Sequence, residues 1–230
     1  MRATILSAAL LAAAAPGAVP AASPVPAPAA ARDWSQRVEV TAEGGYRMGN
    51  PDAPVKLVEY ASITCSHCAA FNAQASQPLR ERHVRSGRVS WEVRPFLIFA
   101  SDTPIFRLLQ CQAPAQFFDL SDKLFADQAV WNQRLVQGSA SLKGIPPRDQ
   151  GAAIVRLSQV DRLFRERGMT DAQIASCLSD RAGINQLEAL TNRYSAAGVT
   201  GTPAFYINGH SMGNLAWPQL ENIIAVAAPS

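Results

Sequence analysis

The sequence holds one pair of cysteines whose spacing suits reversible thiol chemistry, in residues 65–68 (Cys-Ser-His-Cys). In such a pair one thiolate can attack a disulfide of another molecule, and the second thiol can resolve the mixed disulfide. The pair follows residues 55–60, an apolar run that predicts a buried strand, and opens a segment with helical apolar spacing. Cys65 therefore falls at a predicted helix N-terminus, where backbone N–H groups and the helix dipole lower a thiol pKa.

Three further residues complete the predicted reactive centre. Cys68, one turn into the helix, is the expected resolving thiol. His67 lies between the cysteines, where a partly charged imidazole can stabilise the Cys65 thiolate. Glu59 stands in the otherwise apolar strand, and acidic side chains are seldom buried without a reason. The alternatives are that His67 is an ordinary surface histidine and that Glu59 faces solvent.

The cysteine pair has two simpler explanations. It could be half of a zinc site, but the other candidate ligands are only three histidines and two scattered cysteines (His67, His83, His210, Cys111, Cys177). It could also be an inert structural disulfide in an exported protein. We expect no metal and no cofactor.

The order of predicted elements indicates an α/β fold. A second strand is expected over residues 89–99, a helical block over 101–197, a strand over 204–207, and a closing helix from Pro218. Asn208-Gly209 predicts a hairpin after the third strand. Pro78 should kink the first helix.

Two cysteines lie within the helical block, far from the pair. Cys111 and Cys177 both stand beside apolar residues of predicted helices. We predict that they form a structural disulfide, since exported proteins oxidise their thiols. Two buried free thiols are the alternative.

The N-terminus predicts export. Arg2 precedes an apolar stretch over residues 5–15 and a zone of small residues, which indicates a signal peptide over 1–22 and a periplasmic location. An uncleaved membrane anchor is the alternative. Residues 23–37 are rich in Ala and Pro and predict a disordered spacer. The remaining domains are expected at 38–100, 101–197 and 198–230.

Composition sets further limits. Hydrophobic residues make up 48% of the 230-residue chain and charged residues 17%, which suits a folded core. The net charge is +3 and no run of Lys and Arg occurs, so we expect no nucleic-acid partner.

Residues 59–68 (Glu-Tyr-Ala-Ser-Ile-Thr-Cys-Ser-His-Cys) and 201–209 (Gly-Thr-Pro-Ala-Phe-Tyr-Ile-Asn-Gly) together resemble the DsbA-like periplasmic thiol-disulfide oxidoreductases. The resemblance implies a thioredoxin fold interrupted by an inserted helical domain. It also implies that Pro203 is cis beside the cysteine pair, and that the Thr202 backbone binds an extended substrate. Glu59 would assist proton transfer to the buried Cys68. An ordinary turn at Thr202-Pro203 is the alternative.

The same resemblance implies a dithiol oxidase that introduces disulfides into unfolded or reduced exported proteins. A membrane redox partner would recycle the cysteine pair, and the protein would be a monomer. A reductase or isomerase of the same fold and a non-catalytic holdase for exported chains are the two rival functions.

Overall fold

In the computed structural model, which describes residues 32–227, a six-stranded mixed sheet runs through the centre of the molecule in the order β1-β2-β4-β3-β5-β6. The strands are β1 (Val38–Val40), β2 (Tyr46–Gly49), β3 (Val55–Ala61), β4 (Val89–Pro95), β5 (Ala204–Ile207) and β6 (His210–Gly213). The central strand β3 pairs in parallel with β4 and antiparallel with β5. The other pairings are antiparallel.

Helices connect and cover these strands. They are α1 (Ser66–Pro78), α2 (Asp102–Gln110), α3 (Phe117–Ala126), α4 (Gln128–Gly138), α5 (Pro147–Ser158), α6 (Asp161–Glu166), α7 (Asp171–Ser179), α8 (Arg181–Ala196) and α9 (Trp217–Ala227). Because parallel strands need a crossover, α1 joins β3 to β4 across one face of the sheet. Helices α2 to α8 stand between β4 and β5, so a helical insertion interrupts a thioredoxin fold, as predicted.

The insertion shares its hydrophobic core with the sheet. Phe118 of α3 packs against Trp91 of β4, with ring centroids 4.8 Å apart. On the same side, Phe71 of α1 lies 4.5 Å from Phe205 of β5. The opposite face is covered by α8, whose Tyr194 contacts Tyr60 of β3. Helices therefore cover both faces of β3 over most of its length, which suits its mainly apolar sequence, while Lys56 near its start is exposed.

At three places the residues adopt the local structures that are typical of their sequence. Thr170 makes a capping box with Gln173 at the start of α7. Gly198 adopts a φ of 96° just after α8, a conformation that glycine tolerates best. Asn208 and Gly209 both have positive φ in the β5–β6 hairpin.

The second predicted strand is too long. Residues 89–99 were expected to be extended throughout, yet β4 ends at Pro95. The backbone N–H groups of Ile98 and Phe99 donate to the Asp102 carboxylate and so cannot join the sheet. Their side chains are 47% and 48% exposed.

The chain before β3 is more ordered than predicted. The predicted signal peptide (1–22) and residues 23–31 of the predicted spacer lie outside the described residues. At the end of that spacer, however, Trp34–Gln36 forms a 3-10 helix, and the Trp34 N–H donates to the Arg85 carbonyl at 3.2 Å. Strands β1 and β2, which the sequence did not reveal, then extend the sheet beyond β4.

The first helix changes its hydrogen bonding at its proline. Pro78 ends the α-helical part, and Leu79–Val84 continues as a π-helix. Proline has no N–H to donate, so the loss of one helical bond accompanies this change. The kink itself stays a prediction.

Across residues 32–227, we find no helix with the length and apolar character needed to span a bilayer.

Candidate active site

The loop after β3 presents the cysteine pair at the start of α1. Cys65 is the N-cap residue, with extended backbone angles (φ −72°, ψ 120°), and Cys68 lies in the first turn. Cys65 is 8% exposed and Cys68 is fully buried, and both are free thiols. An N-cap side chain faces the backbone N–H groups of the first helical turn, which suits a sulfur that carries negative charge.

The surroundings of Cys65 stabilise its thiolate. Its pKa is lowered to about 5, chiefly because the Cys68 side chain forms a hydrogen bond with it. The backbone N–H groups of Cys68 and His67 lower the pKa further, while burial opposes them. Cys65 is therefore a thiolate at neutral pH.

His67 lies in the first turn of α1, between the two cysteines. Its side chain is exposed and has no hydrogen bond to any residue that the structure describes. Its backbone N–H forms a hydrogen bond with the Cys65 sulfur and lowers the pKa of that thiol. A role for the imidazole stays a prediction.

Cys68 has the opposite character. Burial raises the pKa of its thiol well above the usual range, and the hydrogen bond to Cys65 and the nearby Glu59 carboxylate raise it further. One cysteine of the pair thus favours the thiolate and the other favours the thiol.

Glu59 lies beneath the pair and is 2% exposed. The indole Nε1–H of Trp91 donates to its Oε2 at 3.1 Å. Burial raises the pKa of Glu59 to about 8, although the Trp91 hydrogen bond lowers it somewhat. The carboxyl group is therefore mostly protonated at neutral pH and close enough to Cys68 to affect its titration. The sequence did not suggest Trp91, since a tryptophan in a strand is ordinarily a core residue.

The Thr202–Pro203 turn lies against the cysteine pair, and its peptide bond is cis. The Cys65 Sγ lies 3.4 Å from the Thr202 carbonyl oxygen. The Thr202 hydroxyl is buried and has no hydrogen-bond partner within residues 32–227. The fold thus brings together two segments that are 137 positions apart in the chain.

Two polar side chains of the insertion also reach this loop. Asp102, at the start of α2, and Gln128, at the start of α4, form hydrogen bonds with residues just before or at Cys65. Neither side chain was predicted from the sequence to lie at this loop.

Cys111 and Cys177 are joined in a disulfide that links the end of α2 to α7, with their Cα atoms 6.3 Å apart. This bond lies within the insertion and has no part in the cysteine pair. Among the residues described, no group of three or more His, Cys, Asp or Glu side chains is arranged to hold a metal ion.

Comparison with known proteins agrees with this geometry. A family model described as Thioredoxin matches residues 41–225. A Rickettsia bellii relative named protein-disulfide oxidoreductase is 26% identical over 164 residues, covering 70% of this chain and 56% of that protein. One from Rickettsia felis is 24% identical over 174 residues, covering 73% and 54%. The chain thus spans about half the length of these curated relatives.

Solved structures show the same fold. The protein-disulfide isomerase from Novosphingobium aromaticivorans superposes with a TM-score of 0.77 at 28% identity, covering 83% of this chain and 100% of that one. The alpha-DsbA1 protein of Wolbachia pipientis gives 0.67 at 18% identity, covering 82% and 93%. Since the family model matches most of the chain, and the cysteine pair stands at the start of α1, the chain belongs to the thioredoxin family.

Proposed function

We propose that this protein is a dithiol oxidase that introduces disulfides into reduced, exported polypeptides. The observation that carries the proposal is the position of Cys65 as the N-cap residue of α1, beside the Cys68 thiol, which lowers its pKa to about 5. A stabilised thiolate favours the reduced enzyme over its disulfide, so the disulfide form becomes a strong oxidant. A reductase needs the reverse balance.

The reaction then proceeds in two exchanges at the Cys65–Cys68 disulfide. A substrate thiolate attacks the Cys65 sulfur, forms a mixed disulfide and releases Cys68 with the electron pair of the broken bond. A second substrate thiolate attacks the substrate sulfur of the mixed disulfide and expels Cys65. The substrate loses two electrons and gains a disulfide, and the enzyme is left as a dithiol. The low pKa of Cys65 makes it a good leaving group in the second exchange.

Glu59 supports the first exchange. Cys68 is released into a buried environment in which its thiolate is unfavourable. Glu59, with a pKa of about 8, holds a proton at neutral pH. It can deliver this proton to Cys68, directly or through water, and so make the first exchange harder to reverse.

Thr202 provides the docking position for the substrate. Its backbone lies beside the Cys65 sulfur and precedes β5. An extended peptide placed here could form main-chain hydrogen bonds with Thr202 while its own cysteine faces Cys65. Sequence-independent contacts of this kind suit an enzyme that acts on many unfolded chains.

Turnover requires a further partner and an oxidising compartment. Each cycle leaves two electrons on the cysteine pair, and a membrane redox protein is the proposed acceptor. The signal-peptide pattern of residues 1–22 supports export to the periplasm. We propose that the enzyme acts there as a monomer.

Isomerase activity is the second candidate, because the structurally similar Novosphingobium protein is named a protein-disulfide isomerase. An isomerase must meet its substrates with a reduced cysteine pair, whereas an oxidase must meet them with a disulfide. The two functions therefore differ in the reduction potential that they need.

The deciding experiment measures that potential and both activities. The pair is equilibrated with glutathione buffers, and the oxidised enzyme is mixed with a reduced, unfolded protein. We expect a potential above about −180 mV, the value for a general disulfide isomerase, and rapid oxidation of the substrate. The Cys65→Ser variant cannot form the disulfide, so it should show no reduction potential for this pair and should not oxidise the substrate. A lower potential, with faster repair of a scrambled substrate than oxidation of a reduced one, would favour the isomerase.

A further inference from the structure

The loop that carries Cys65 has buried backbone groups without partners in the sheet. Ser62, Ile63 and Thr64 are all less than 9% exposed, and they lie between the end of β3 and the start of α1. Buried backbone N–H and C=O groups need hydrogen-bond partners, and each one left unpaired costs about 1–3 kcal/mol. Two side chains of the helical insertion provide them.

Gln128 satisfies the carbonyl groups. It is the first residue of α4 and is 6% exposed. Its Nε2 donates to the Ile63 carbonyl at 2.9 Å and to the Cys65 carbonyl at 3.0 Å. Both hydrogens of one side-chain amide are therefore used on the backbone of the Cys65 loop.

Asp102 satisfies the N–H and hydroxyl groups. It is the first residue of α2 and is fully buried. Its carboxylate accepts from the Thr64 N–H at 3.0 Å and from the Ser62 hydroxyl at 2.9 Å. The Ile98 and Phe99 N–H groups donate to the same carboxylate. Asp102 thus ties the Cys65 loop to the chain that follows β4.

We propose that Gln128 is a positioning residue for Cys65. Asp102 helps to hold the same loop, since it accepts hydrogen bonds where Gln128 donates them. The two side chains begin two helices of the insertion and are complementary to the loop, because the amide meets its carbonyls and the carboxylate meets its donors. Together they fix the Cys65 backbone at the angles that direct its sulfur towards the N–H groups of α1.

The consequence is that the insertion helps to set the reactivity of the thioredoxin core. Without the Gln128 bonds, the Cys65 backbone is held only by the bond from the Ala69 N–H to its carbonyl and by the bond from its own N–H to the Ser62 carbonyl. Its sulfur can then move away from Cys68 and from the first turn of α1. Those contacts hold the pKa of Cys65 low, so the pKa should rise when they weaken. This inference rests on the proposed role of Cys65 as the nucleophile.

The test uses the Gln128→Met variant, which keeps the size of the side chain and removes both donors. In the reduced protein, the ultraviolet absorbance of the thiolate gives the pKa of Cys65, and alkylation by iodoacetamide gives its reactivity. We expect the pKa to rise by about one unit, which lowers the thiolate fraction, and hence alkylation, about fivefold at pH 5 and about tenfold at pH 4. The Gln128→Asn variant retains the amide one methylene shorter and should shift the pKa less.

Trp131→Phe is the matched control on the same helix. Its indole Nε1–H donates to the Leu124 carbonyl at 2.8 Å, so the variant also loses a buried donor to a backbone carbonyl but leaves the Cys65 loop intact. Both variants should lower the unfolding midpoint, and only the Gln128 variants should move the pKa of Cys65. Three results would overturn the proposal. The pKa of Cys65 could stay unchanged in Gln128→Met, or it could shift equally in Trp131→Phe. It could also shift more in Gln128→Asn than in Gln128→Met.

A Cys65→Ser variant separates the two levels of inference. If the low-pH thiolate signal survives in that variant, the assignment of Cys65 as nucleophile fails. If the signal disappears there and yet does not respond to Gln128→Met, the assignment stands and the positioning role fails. If Gln128→Met does not fold, Gln128→Asn alone decides the matter: a wild-type pKa in that variant refutes the proposal and a raised pKa supports it.

Discussion

Replacing Cys65 with serine should expose a pH-dependent part of the stability of the reduced protein. The pKa of this thiol is 9.0 in the reference state and about 5 in the folded protein. Since the folded pKa is the lower one, the thiolate contributes stability that is fully present above pH 9 and is lost as the pH falls through 5. The serine variant has no such contribution, so the difference between the two proteins isolates it.

The magnitude follows from the same shift. Between pH 5 and pH 7 the unfolded thiol stays protonated while the folded one ionises, which gives about 2 kcal/mol of added stability before screening. Water at the mouth of the site screens the interaction, so we expect on the order of 1–2 kcal/mol. Glu59 titrates in both proteins, so its contribution largely cancels in the difference between their free energies of unfolding.

The assay is urea unfolding of both reduced proteins at pH 5, 6 and 7, with a phosphine reductant that is active at acidic pH. The gap in the free energy of unfolding between wild type and Cys65→Ser should widen steadily with pH. A gap that stays constant, or that narrows as the pH rises, would show that Cys65 does not have a depressed pKa. The Cys65 leaving-group argument would fail with it.

Three further outcomes are expected. Glu59→Gln should stabilise the oxidised protein at pH 7 by up to about 3 kcal/mol in urea unfolding, because folding raises the pKa of this carboxyl from 4.5 to about 8 and the carboxyl then costs stability as the pH rises between these values. The same variant should slow substrate oxidation, and an unchanged rate would remove Glu59 from the mechanism. Trp91→Phe removes the indole donor and should raise the pKa of Glu59 above 8, measured from the carboxyl infrared band; a fall would contradict the hydrogen bond. Replacing Cys111 and Cys177 by alanine opens a loop of 66 residues and should cost about 4 kcal/mol of unfolding free energy with turnover nearly intact; loss of turnover at unchanged stability would assign the disulfide a redox role.

The reactive pair could be predicted because its chemistry is local. Residues 65–68 follow an apolar strand and start a helix, so the sequence alone places Cys65 at a helix N-terminus. Glu59 was a weaker signal, since one acid in an apolar strand can face either side. The structure buries it because β3 lies at the centre of a sheet that is covered on both faces.

The features that could not be predicted from the sequence depend on contacts between distant segments. β1 and β2 are short, and a three-residue strand such as Val38–Val40 has too few positions to show a period of two. The end of β4 could not be located either. Residues 96–99 are as apolar as a strand, and only the fold shows that the Asp102 carboxylate takes the N–H groups of Ile98 and Phe99.

The pKa values of the two cysteines at the start of α1 shift in opposite directions. Cys65 lies at the cap, where N–H groups can reach its sulfur, whereas Cys68 lies one turn inside, where burial dominates. A helix N-terminus by itself favours both thiolates to some degree. The difference comes from the surroundings: burial and Glu59 raise the pKa of Cys68, whereas the hydrogen bond with Cys68 and the backbone N–H groups of the first turn lower the pKa of Cys65. The redox character of the pair is therefore a property of the assembled fold, and residues outside the cysteine motif should be able to change it.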